Sequence, residues 1–281
     1  NVGRTNVQNP LDFVTTLLVD RHKRGRLRHR GGNKEYYNGD ADNYYRLAQH
    51  SEVGSTLKGK DDVTLVAKKD VRIRQSNIGS EKGNVLIGSQ QGDIQVEAGR
   101  EEEQLASASK SVSRGRFGLS KTTEIRRHEH DIAQSVSSNI DGKTVNLIAG
   151  QGNVTVQGSN VVGENGLTVQ AKNIDIKEAE NKVYSEDFHS KKKSGVLGGG
   201  LGVTFGAQKQ TLESDKTKFY AQGSQVGSLN GNTTLIAKNH YTQTASQVSA
   251  VNGDVNILAK NVDIKAADDK YETNTKQKFE Q

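Results

Sequence analysis

The chain has 281 residues, 39 Lys and Arg against 33 Asp and Glu, no Cys, no Met, no Trp, a single Pro and 30 Gly. Without cysteine there can be no disulfide, thiolate zinc site or cysteine nucleophile. Aromatic residues make up 5%, which suits a thin, repetitive core, and no apolar run approaches the ~20 residues of a membrane span.

Residue 1 is Asn, which together with the missing Met predicts a piece of a longer protein. Residues 1–50 hold nine Lys and Arg against five Asp and Glu, so they carry +4 of the net +6. The other 231 residues carry only +2, and a charge concentrated at one end argues against a nucleic-acid-binding chain. "LDFVTTLLVD" (11–20) reads as a short strand or helix that caps the repetitive part of the chain. "RHKRGRLRHRGG" (21–32) precedes Tyr36, Tyr37, Tyr44 and Tyr45. Within it Arg24, Arg26, Arg28 and Arg30 are candidate contacts to a polyanion such as a glycan or lipopolysaccharide phosphate, and a solvated linker is the plain alternative.

From residue 51 onward the chain repeats. Short apolar strands are expected at Val63–Ala67, Val85–Ser89, Val145–Ala149, Leu167–Ala171, Thr233–Ala237 and Val255–Ala259. Each is followed, after a corner, by a second strand: Val71–Ile73, Ile94–Val96, Val154–Val156, Ile174–Ile176, His240–Thr242 and Val262–Ile264. Alternation turns Val255, Ile257, Val262 and Ile264 inward. Lys-Asn corners at 172–173, 238–239 and 260–261 suit stacked Asn side chains. Aligning those corners places His240 in the inward column with Ile174 and Val262. One strand pair cannot bury its apolar face alone, but coils stacked ~4.8 Å apart can. The expected fold is all-β, a right-handed parallel β-helix.

Two excursions, at 99–141 and 180–230, interrupt the coils. Their openings, "EAGREEEQ" and "KEAENKVYSE", are related, and "KAADDKYETNTKQKFEQ" begins a third. Ser, Thr and weak alternation predict β-hairpin arms, the first turning at Gly115–Gly118. The second contains "GVLGGGLGVTFG" (195–206), uncharged and flanked by Lys191–Lys193 and Lys209. Val196, Leu197, Leu201, Val203 and Phe205 form a candidate tip for a membrane or partner. A tight hairpin whose glycines permit close stacking is the plain alternative.

"GDVNILAKNVDIKAAD", "GLTVQAKNIDIKEAENKVYSE" and "KKKSGVLGGGLGVTFGAQKQ" resemble the haemagglutinin repeats of filamentous haemagglutinins and of contact-dependent growth inhibition (CdiA-type) exoproteins. The resemblance covers about residues 51–281. It implies two-partner secretion through an outer-membrane partner, a monomeric filament at the bacterial cell surface, and adhesion or delivery of a C-terminal toxin to a target cell. The target-cell surface or outer membrane would then be the partner.

Enzymatic signals are weak. Gly200 and Gly202 are followed at 205 by Phe, so no G-x-G-x-x-G motif forms, and Gly142-Lys143-Thr144 lacks its upstream Gly because residue 137 is Ser. "RHEHD" puts His128 and His130 on one side of a strand, which reads as a solvated polar strand before a metal site. No cofactor is expected. A β-helical enzyme acting on polysaccharide and an inert spacer remain the alternatives to a contact segment.

Overall fold

A computed structural model describes residues 26–30, 33–115, 118–198 and 203–281. The fold is a parallel β-helix with hairpin arms, and among the described residues every regular element is a strand. Before the first coil come β1 (Arg26–Arg30), β2 (Asn33–Gly39) and β3 (Tyr44–Ser51). Coil 1 is β4 (Thr56–Gly59), β5 (Val63–Ala67) and β6 (Val71–Arg74). Coil 2 is β7 (Asn77–Ser80), β8 (Val85–Ser89) and β9 (Ile94–Glu97). The first arm, β10 (Gly99–Arg114) and β11 (Ser120–Val136), leads to coil 3: β12 (Asn139–Gly142), β13 (Val145–Ala149) and β14 (Val154–Gln157). Coil 4 is β15 (Asn160–Gly163) and β16 (Leu167–Lys177). The second arm is β17 (Ala179–Gly198) and β18 (Val203–Gln222). Coil 5 is β19 (Gln225–Ser228) and β20 (Thr233–Thr244). Coil 6 is β21 (Gln247–Ala250), β22 (Val255–Leu258) and β23 (Asn261–Lys265), and β24 (Lys270–Glu280) closes the chain of strands.

Each coil has three sides. The strands foreseen from alternation form two of them, and β16 and β20 bend around the corner between those two. The third side is the parallel stack β4-β7-β12-β15-β19-β21. Its strands contribute one large inward residue each, Leu57, Ile78, Ile140, Val161, Val226 and Val248, in register from coil to coil. Residues 139–142 and 225–228, at the ends of the two expected excursions, belong to this side.

The core is a set of columns. Leu65, Ile87, Leu147, Val169, Leu235 and Ile257 stack one per coil, and Ile87, Leu147 and Leu235 are fully buried. A second column runs Val71, Ile94, Val154, Ile174, Tyr241, Val262. Tyr241, not His240, fills it. Coil 5 has Lys238 and Asn239 between Ala237 and His240, where coil 4 has only Lys172 between Ala171 and Asn173. The extra residue moves His240 opposite Asn173, where it is exposed. In coil 6 the expected inward residues keep their register, but β22 and β23 pair with β20 alone. Ile257 is half-buried there, and Val255, Val262 and Ile264 are 43%, 53% and 63% exposed.

Corner side chains hydrogen-bond along the axis. Asn173 Nδ2 donates to Asn153 Oδ1 at 2.7 Å, and Asn153 Nδ2 donates to Asp93 Oδ1 at 3.1 Å. Asn160 to Asn139 and Asn139 to Asn77 form a second ladder, both at 2.9 Å. Each rung ties one coil to the next through its side chains.

Candidate contact surface

The arms do not lie apart. β1, β2, β3, β10, β11, β17, β18 and β24 form one antiparallel sheet in that order. Within an arm, Gly99 opposes Val136 and Arg114 opposes Lys121. Between arms, β11 pairs with β17 from Ser120–Gly195 to Ala133–Lys182. β3 covers the outer edge of the first arm, and β24 that of the second. The first arm turns at the expected place: Gly118 has φ +73° and its N–H donates to Gly115 O at 3.0 Å.

Among the described residues the sheet is a single layer. Beyond the neck, Asn181 and Ser190 are its buried residues among those described. Twenty residues of β17, at ~3.3 Å each, give the second arm a reach of roughly 65 Å.

Directly opposed residues share a face, so the register sorts the side chains. On one face Glu129, Glu186 and Asp215 stand opposite one another on β11, β17 and β18. Tyr184 Oη donates to Glu186 at 2.6 Å, and this bond to a carboxylate, with Asp215 and Glu129 near, pushes the phenol up to about 12. Six residues farther along β17, roughly 20 Å distal to Glu186, the same face turns basic. Lys192 opposes Lys209, and Arg114 opposes Lys121. Glu280 Oε2 lies 3.7 Å from Lys209 Nζ.

The other face carries the histidines. His128 and His130 stack with ring centroids 6.2 Å apart, on one side as the sequence indicates. His128 Nδ1 lies 2.7 Å from Asp187 Oδ1, and His189 Nε2 lies 2.8 Å from Glu124 Oε1. Arg126 donates to the same Glu124 oxygen at 2.7 Å, and Arg126 first, then His189, holds that carboxyl below its ordinary range. Both histidine contacts bridge β11 and β17, the seam between the arms. No group of three or more His, Asp or Glu suited to a metal forms among the described residues.

Of the sequence-predicted tip, Val196 and Leu197 lie in β17 opposite Phe205 and Thr204, and Val203 opposes Gly198. They lie at the far end of the described part of the second arm. Leu201 lies outside the described residues. Of the arginine set, Arg26, Arg28 and Arg30 lie in β1, opposite Tyr37, Glu35 and Asn33, and Arg24 lies outside the described residues.

The residues that anchor the arms escaped sequence reading. A serine begins the third side of every coil: Ser55, Ser76, Ser138, Ser159, Ser224 and Ser246. The amide of each of the first five donates to the hydroxyl of the next at 3.0–3.2 Å. The signal was present as a tripeptide of serine, a polar residue and an aliphatic one: "STL", "SNI", "SNI", "SNV", "SQV", "SQV". At the first neck Arg74 makes a two-pronged bond to Glu52, at 2.8 and 2.7 Å, and donates to Ala98 O at 3.1 Å.

The sequence profile described as Hemagglutinin repeat matches residues 41–127 and 119–279. The chain belongs to the hemagglutinin-repeat family. Among curated relatives of this hemagglutinin-repeat chain, a "tRNA nuclease CdiA" of Yersinia mollaretii is 36% identical over 163 residues, 53% of this chain and 5% of that protein. "tRNA nuclease CdiA-2" of Burkholderia pseudomallei is 28% identical over 190 residues, 66% of this chain and 6% of that protein. A "16S rRNA endonuclease CdiA" of Enterobacter cloacae is 35% identical over 156 residues, 52% of this chain and 5% of that protein. The hemagglutinin-repeat match thus spans a small fraction of each relative, and their nuclease names describe those whole proteins. No solved structure matches the chain.

Proposed function

We infer that this hemagglutinin-repeat chain is a contact segment of a secreted bacterial surface exoprotein, whose arms meet the surface or outer membrane of a target cell. The observation that carries the reading is the banding of the arm. On one face an acidic zone and then a basic zone succeed one another away from the solenoid, and residues 195–206 beyond them are uncharged and rich in glycine. A lysine-flanked apolar end suits an anionic interface, where cations meet phosphate and aliphatic groups leave water. The relatives' names support a finer reading. A parent protein exported through an outer-membrane partner would hand an RNA-cleaving domain to a neighbour, with this segment as stalk and contact surface.

The test is flotation with vesicles of outer-membrane-like composition. Wild type should bind, and Leu201→Asp combined with Phe205→Asp should abolish binding without lowering the melting temperature. Wild type that ignores every vesicle composition would leave an inert spacer. The basic segment is tested separately. Neutralising Arg24, Arg26, Arg28 and Arg30 should weaken heparin retention and flatten its salt dependence, because fewer counterions are released. Unchanged retention would make 21–32 a linker.

A further inference from the structure

The arms leave the solenoid at one corner, and that corner also occurs without an arm. Between coils 1 and 2, 3 and 4, and 5 and 6, the chain turns from the second side to the third through a single residue: Gln75, Gly158 or Ala245. All three are left-handed, with φ of 47°, 56° and 44°. Between coils 2 and 3, and between 4 and 5, residues 98–137 and 178–223 stand in place of that one residue.

The flanks do not register the difference. In the bare corners Ser76 Oγ donates to Arg74 O at 2.7 Å, Ser159 Oγ to Gln157 O at 2.9 Å, and Ser246 Oγ to Thr244 O at 2.8 Å. In the armed corners Ser138 Oγ donates to Glu97 O, and Ser224 Oγ to Lys177 O, both at 2.7 Å. The same bond closes the corner, once across one residue and once across a whole arm. The amide ladder continues past both kinds: Gln75 N–H to Glu97 O at 3.1 Å, Ala98 N–H to Gln157 O at 2.9 Å, Gly158 N–H to Lys177 O at 3.0 Å.

We propose that a hairpin arm and one left-handed residue are interchangeable at this corner, and that the arm sheet itself restricts arms to every second coil. Neighbouring strands of any sheet lie ~4.8 Å apart, whether they belong to coils or to arms. A hairpin adds two strands, the thickness of two coils, so from β3 to β24 the arm sheet holds one strand per coil and stays in step with the solenoid. An arm on every coil would crowd two strands into one coil's height, which a single layer cannot hold.

Three variants of the full chain test this. In the first, one Gly replaces residues 98–137; in the second, Glu97 is joined directly to Ser138. The first should keep amide protection in β13 and β14 within about threefold of wild type, and the second should lose at least about tenfold. If the first loses as much as the second, or the second keeps as much as the first, interchangeability is wrong. In the third, a second copy of residues 98–137 replaces Gly158. Limited trypsin should cut the added hairpin and spare the original arms. An added hairpin as resistant as its neighbours would overturn the restriction to alternate coils.

Discussion

Ser159 illustrates how a polar residue holds a place inside the solenoid wall. It is fully buried, its hydroxyl accepts the Ser138 amide at 3.2 Å, and it donates to Gln157 O. Ser159→Ala leaves the buried Ser138 N–H without its acceptor, while Gln157 O keeps the Ala98 amide, so the change should cost about 1–3 kcal/mol in urea unfolding. Ala245 shows the opposite case. Its left-handed backbone carries a Cβ that glycine would lack, so Ala245→Gly should stabilise by about 0.5–1 kcal/mol after glycine's greater freedom in the unfolded chain is set against the relief. At Gly158 an added Cβ would come within 2.5 Å of Ala179 Cβ, so Gly158→Ala should destabilise despite the equivalent corner. Tyr241 is pushed up to about 12 by burial, against ~10 in an unfolded chain. The folded phenol keeps its proton longer, so its contribution is whole below pH ~10 and fades as pH climbs toward 12. An absorbance titration of Tyr241→Phe should lack one late-ionising tyrosine. A curve identical to wild type would contradict the burial.

At the scale of elements, what the sequence disclosed tracks how many side chains each strand buries. The first two sides place two or more inward apolar residues per strand, as Val145, Leu147 and Ala149 do, and alternation reveals them. The third side places one, such as Ile140 before Gly142, and a single aliphatic residue has no period to read. The misplacement of His240 has the same root, because a corner lengthened by one residue keeps its Lys-Asn letters while shifting the register. The arms were legible as strands but not as one sheet. Their pairing is set by where the coils hold their necks, and a single polar layer leaves no inward-facing pattern. Leu147→Ala, in the middle of the core column, should cost about 2–5 kcal/mol, and Ile257→Ala in the half-buried last coil clearly less. Equal losses in thermal or urea unfolding would mean that coil 6 is as well covered as coil 3.

Across the whole molecule, every boundary between coils is crossed a second time in the arm sheet. Coils 1 and 2 meet where β3 meets β10, coils 3 and 4 where β11 meets β17, and coils 5 and 6 where β18 meets β24. At the boundaries between coils 2 and 3 and between 4 and 5, the two strands of one hairpin pair instead. Tension along the axis therefore loads two hydrogen-bonded ladders side by side, as in a rope with two plies. A coil that slips must shear an arm seam with it. A solenoid built this way resists being pulled apart lengthwise although its core is only a few side chains wide.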